Sequence, residues 1–154
     1  MSLEARIRED ITTAMKAGER QVVDTLRMAV AALSRAQVDK RGQGDGDTDL
    51  SEDEEVKILR TCVKMRREAA TAFRDGGAED RALAEEEEGV ILEAYLPQLM
   101  DAAATEAAVR AIATELDLSE PGDMGRLMGE AMKRHKGLLD GGLARTAAQT
   151  VLGG

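Results

Sequence analysis

Apolar side chains recur every three or four residues along most of this chain. Leu3, Ile7, Ile11 and Met15 are spaced by four and predict one face of a helix from Leu3 to about Ala17. Ser2 stands where a cap is needed and Gly18 where the helix should end. Val23, Leu26, Val30 and Leu33 form a second stripe, on a helix from about Glu19 to Lys40 edged by Arg20, Asp24, Arg27 and Arg35. Ser51-Glu52-Asp53-Glu54 reads as a capping box. It opens a third helix, to about Arg74, with Val56, Leu59, Val63, Ala70 and Phe73 as its stripe. Gly76-Gly77 breaks that pattern, and a fourth helix follows from about Asp80 to Tyr95.

The pattern then stops at Tyr95-Leu96-Pro97. Proline lacks a backbone donor and clashes one turn back, and it pushes the preceding residue out of helical geometry. Three shorter helices are predicted beyond it: about Ala102 to Leu116, Met124 to about Lys136 with Asp123 as its cap, and a last one after Asp140 to Leu152. The fold class this implies is all-α, with a multihelical N-terminal domain over 1–96 and a C-terminal three-helix bundle over 97–154. Tyr95, Leu96 and Pro97 form the hinge between them, with the Tyr95 ring packed into the joint.

The short connection at Gly76-Gly77 makes the third and fourth helices an antiparallel hairpin. Folding there brings Arg66 and Arg67 level with Glu87 and Glu88. Arg66 falls on or beside the buried stripe, where a charge is costly unless paired. The Glu85–Glu88 run therefore reads as a solvated face with some members pairing those arginines, rather than as a cation site.

Composition sharpens this picture in three ways. Aromatic content is 1%, with Phe73 and Tyr95 alone and no Trp, so the core must come from Leu, Val, Ile, Met and Ala. The net charge of −9 argues against broad, non-specific nucleic-acid binding. One cysteine, Cys62, cannot form an internal disulfide, and no segment approaches the ~20 apolar residues of a membrane span. A cytoplasmic protein with no membrane association is expected.

Candidate chemistry is sparse. His135 has no second histidine to make a site and sits at a basic helix end, suited to the helix dipole. Cys62 has no neighbouring base and reads as a packing thiol. Asp45, Asp47 and Asp49 alternate as calcium ligands would. Leu50 stands where an EF-hand needs Gly, however, and Val56 where it needs Glu, so 42–49 reads as a solvated loop. No nucleophile elbow, P-loop or dinucleotide fingerprint occurs. The expectation is no catalytic residue, no cofactor and no metal.

The most informative local pattern runs from Asp123 to Gly137. Met124, Met128 and Met132 lie four apart, a stripe expected in the core. Gly125 and Gly129 share one helix face, each at a helix-propensity cost of about 1 kcal/mol relative to Ala. Something is expected to approach the backbone there, either a neighbouring helix or a phosphate chain. From Arg126 to Arg145, five basic residues face only Glu130 and Asp140, a local +3 in an acidic chain. Gly125, Arg126, Gly129, Lys133, Arg134 and Lys136 are thus the candidate contacts for RNA or a partner, a patch able to touch a few phosphates.

Thr25-Leu26-Arg27-Met28, Lys64-Met65-Arg66-Arg67-Glu68, Leu92-Glu93-Ala94-Tyr95-Leu96-Pro97-Gln98 and the Asp123–Gly137 segment resemble, in order and spacing, the YqeY family. Its members are similar to the tail of the B subunit of glutamyl/aspartyl-tRNA amidotransferase. The resemblance implies an all-helical protein in two pieces and an association with glutamine-dependent carbon–nitrogen ligase function. In that enzyme the tail helps hold tRNA and performs no chemistry. A non-catalytic accessory role follows, with tRNA or a tRNA-dependent amidotransferase as partner. The alternative is a protein–protein adaptor with no RNA role, working through the acidic N-terminal half. This chain departs from the family after Lys136-Gly137, where Leu138-Leu139-Asp140 replaces a frequent basic residue.

Overall fold

Local signals set where each helix begins and ends. The computed structural model describes residues 1–44 and 48–153, and among these the chain is helical with no strand. The helices are α1 (Leu3–Ala17), α2 (Arg20–Gly42), α3 (Glu52–Asp75), α4 (Glu79–Glu93), α5 (Ala102–Leu116), α6 (Met124–Arg134) and α7 (Gly141–Val151), with a short 3₁₀ turn at Pro121–Asp123. Asp45 and Asp47, two of the three acids that suggested calcium, lie outside the described residues. Asp49 pairs instead with Arg41 at 3.1 Å.

Side-chain caps satisfy backbone N–H groups that have no partner inside the helix. The Ser2 hydroxyl accepts from Ala5 N–H at 3.1 Å, and Gly18 leaves α1 at φ 73. Ser51 and Glu54 complete the reciprocal capping box of α3. Asp101 caps α5 and Asp140 caps α7. Asp123 departs from expectation. Its backbone is already helical, and its carboxylate accepts from Ser119 and Glu120 N–H at 3.1 Å each, closing the turn before α6 rather than α6 itself.

Two other ends differ from the sequence pattern. α4 stops at Glu93, two residues short of Tyr95, and tighter bonds from Tyr95 N–H to Leu92 O and Leu96 N–H to Glu93 O finish it. Pro97 excludes Leu96 from helical geometry, so the tightening starts a turn earlier. α6 ends at Arg134 rather than Lys136, and Gly137 follows at φ 77.

The chain divides into two compact units, Met1–Leu96 and Pro97–Gly154. In the first, α1 to α4 pack around Ile7, Leu26, Ala29, Val30, Leu33, Leu59, Val63 and Leu92. Ile7, Leu26, Leu33 and Leu59 are fully buried, each contributing about 1.5–3 kcal/mol relative to exposure. In the second, α5 and α7 close around Val109, Ile112, Leu127, Ala131, Ala144 and Ala148. The alanines bring helix backbones close together, offsetting the absence of aromatic bulk. Met100 N–H donates to Leu138 O at 2.7 Å, fastening the segment before α5 to the α6–α7 connection.

Candidate functional site

α6 carries the candidate contact residues, and its two faces are chemically different. Leu127 and Ala131, four apart, are fully buried in the second unit's core. The methionine stripe does not fill the core as expected: Met124 and Met128 pack at its margin, and Met132 is exposed. The buried axis runs through Leu127 and Ala131, so the methionines, one residue out of phase, fall on its flank.

The outward face holds Gly125 and Gly129, with Arg126 and Lys133 beside them. Positions 125, 129 and 133 are successive i, i+4 neighbours, and 126 and 133 are two turns apart, so these four share one surface. All four are exposed. A Cβ placed on Gly125 or on Gly129 would meet nothing within 4 Å. Among the described residues, neither α5 nor α7 of this unit packs onto these two glycines, which removes the neighbouring-helix explanation within the bundle. The helix keeps a bare, open backbone strip at a cost in stability.

Among the described residues, neither Arg126 nor Lys133 makes an ion pair. Arg134 stands apart from them. Its guanidinium binds Glu115 of α5 at 2.5 Å and Glu130 at 3.2 Å. These bonds hold the Glu115 carboxyl below its ordinary range and raise the Arg134 guanidinium. Arg134 is thus committed to holding α6 on α5. Lys136 is exposed in the turn after α6, one step beyond the strip.

In the first unit, Arg66 finds Glu88 as expected, while Arg67 and Glu87 take other partners. Arg66 bridges Glu85 at 3.1 Å and Glu88 at 3.3 Å, all three largely shielded from solvent. Arg67 pairs with Glu93 instead of a member of the glutamate run, and Glu87 accepts from Gln21 of α2 at 3.2 Å. Arg74 takes Glu79 and Glu86. Residues in register across an antiparallel pair meet only where both side chains face the seam, and Glu87 faces α2. Burial, then the neighbouring Glu85 charge, pushes the Glu88 carboxyl up, with Arg66 opposing. Burial also raises the Cys62 thiol, the reverse of what a nucleophile needs. Among the described residues, no group of three or more His, Cys, Asp or Glu could hold a metal ion.

Of the three hinge residues, Tyr95 and Leu96 pack against the core of the first unit, and Pro97 begins the second. The Tyr95 hydroxyl donates to Asp10 Oδ2 at 2.5 Å, and the Arg6 guanidinium lies 5.0 Å from its ring centre. Tyr95 therefore ties the end of α4 to α1.

Sequence reading passed over Glu55. This residue is almost fully buried and accepts from Leu3 and Glu4 N–H at the start of α1. The signal was present: Glu55, Leu59 and Val63 are spaced by four on the buried stripe, and Val56 is only half-buried. An acid at a core position implies a partner lacking in its own helix.

These features define a class: a two-unit, all-helical protein whose unpaired cations on α6 border a strip of bare backbone. A family model described as Yqey-like protein matches residues 4–152, nearly the whole chain, and the chain belongs to that family. No curated protein matches it. No helix among the described residues is long and apolar enough to cross a membrane.

Proposed function

We propose that this protein is a non-catalytic accessory factor that contacts tRNA through the outward face of α6, acting beside a tRNA-dependent amidotransferase. The observation that carries this reading is the open strip at Gly125 and Gly129, bordered by Arg126 and Lys133. Without a Cβ at two successive turns, a phosphate–sugar chain can lie against the helix backbone, and the two cations flank it. So small a patch reads RNA shape and phosphate rather than base sequence. The net charge of −9 confines binding to this face.

Filter binding of total tRNA over a salt series tests the reading, with and without an amidotransferase core. Saturable binding at low salt, with a shallow slope corresponding to about two to three phosphate contacts, is expected. Arg126→Glu with Lys133→Glu should abolish it. Absence of saturable binding in both arms refutes direct RNA contact and favours the RNA-independent adaptor.

A further inference from the structure

The first unit contains a groove between α2 and α3, floored by Leu92 of α4, with a volume of about 330 Å³. Three of the four segments by which the chain resembles its family meet there: Thr25 and Met28 from the first, Met65 and Arg66 from the second, Leu92 from the third. The reading of α6 uses none of them.

Four properties of this groove point outward. Met28 and Met65 line it yet remain 51% and 58% exposed, flexible thioethers that can re-pack around an inserted side chain. Thr25 is 2% exposed, and its hydroxyl is buried with no hydrogen-bond partner, whereas buried hydroxyls are ordinarily satisfied. The lining holds Arg35 and Arg66 and no carboxylate, in a chain with 30 acids. Arg66 is occupied by Glu85 and Glu88, while Arg35 makes no ion pair among the described residues.

We infer that this groove docks an amphipathic helix of a protein partner, which inserts one apolar side chain between Met28 and Met65 and presents a carboxylate to Arg35. A trough between two packed helices suits a third helix. From Thr25 to Arg35, α2 spans about 15 Å, room for two to three turns. Met28 and Arg35 are two turns apart, so the partner's carboxylate lies seven residues from its apolar anchor. A polar group of the docked helix supplies the partner that the buried Thr25 hydroxyl lacks. This inference is independent of RNA binding by α6.

The test is selection from a displayed library of 16-residue amphipathic helices against the full-length chain. Each helix carries one fixed Leu anchor, with acidic, basic or neutral residues four and seven positions away. Selected helices should carry Asp or Glu seven residues from the anchor. They should shift the ¹³C-methyl resonances of Met28 and Met65, assigned through Met→Leu variants. Arg35→Glu, at an exposed position and checked for unchanged melting, should weaken binding at least tenfold, and exchanging the peptide's acid for Lys should restore it. Thr25→Val should weaken binding severalfold while raising the melting temperature. Failure to select any helix that moves both methyls, preference for basic helices, or unchanged affinity in Arg35→Glu overturns the inference. Methyl shifts produced by tRNA would overturn it too, by assigning the groove to nucleic acid.

Discussion

Glu55 on α3 closes the N-terminus of α1, its Oε2 accepting the Leu3 N–H at 3.0 Å. Its Oε1 accepts from Glu4 N–H at 3.3 Å, while the local cap, Ser2, accepts from Ala5. One buried carboxylate thus satisfies two free donors and opposes the positive end of the α1 dipole. The bond spans about fifty residues of sequence and fixes where α1 starts against α3.

Removing that carboxylate should therefore cost more than an ordinary cap. Glu55→Ala leaves two donors without partners at a buried site, a loss of about 2–3 kcal/mol. Glu55→Gln keeps one acceptor and should lose about half as much. Urea denaturation measures both, and faster amide exchange at Leu3 and Glu4 localises the effect. Equal stability in wild type and Glu55→Ala would show that Glu55 does not hold α1.

The open glycines on α6 predict opposite changes in stability and binding. Gly129→Ala should stabilise the protein by about 1 kcal/mol, because the new methyl meets no neighbour and helix propensity improves. Gly125→Ala, nearer the helix start, should add less. Both variants should bind tRNA more weakly than wild type because the methyls stand where the phosphate chain would lie. Thermal melts and filter binding on the same samples check this, and retained affinity with a raised melting temperature would contradict a backbone approach.

Tyr95 gives an optical readout of its own site, since the chain has one Tyr and no Trp. Burial first, then the bond to Asp10 and its charge, push the Tyr95 hydroxyl well above the usual phenol range, with Arg6 opposing. A raised folded-state value means this contribution is fully present below the ordinary phenol value near 10 and is lost as pH rises above it. Phenolate absorbance near 295 nm should consequently appear only with alkaline unfolding. Tyr95→Phe should cost about 1 kcal/mol at neutral pH and reduce the loss of stability above pH 10.

At the acid end, the Lys40 ammonium, then the Ser51 N–H, hold the exposed Glu54 carboxyl down at about 2. A lowered value contributes stability above the ordinary carboxyl range, and the contribution is lost as pH falls towards 2. Titration of the Glu54 side-chain carbon by NMR should show this low midpoint. Lys40→Met should return it towards the ordinary range, whereas an unchanged midpoint would remove Lys40 as its cause.

The sequence alone determined the helices, because capping, glycine and proline signals and apolar spacing act within one or two turns. Ser2, Ser51 and Asp140 cap where their neighbours predict. The glycine face of α6 was legible for the same reason, as spacing on one helix fixes which residues share a surface. Partners across helices were decided by tertiary structure. Glu55 bonds α1, Glu87 turns to α2, Arg134 is held by α5, and Thr25 is left unpaired beside a groove. A side chain's direction along its own helix follows from local geometry. The group it meets depends on how neighbouring helices are rotated and offset, which packing over long sequence separations sets. Only in the folded chain do Gly125 and Gly129 prove to be open surface rather than a seam.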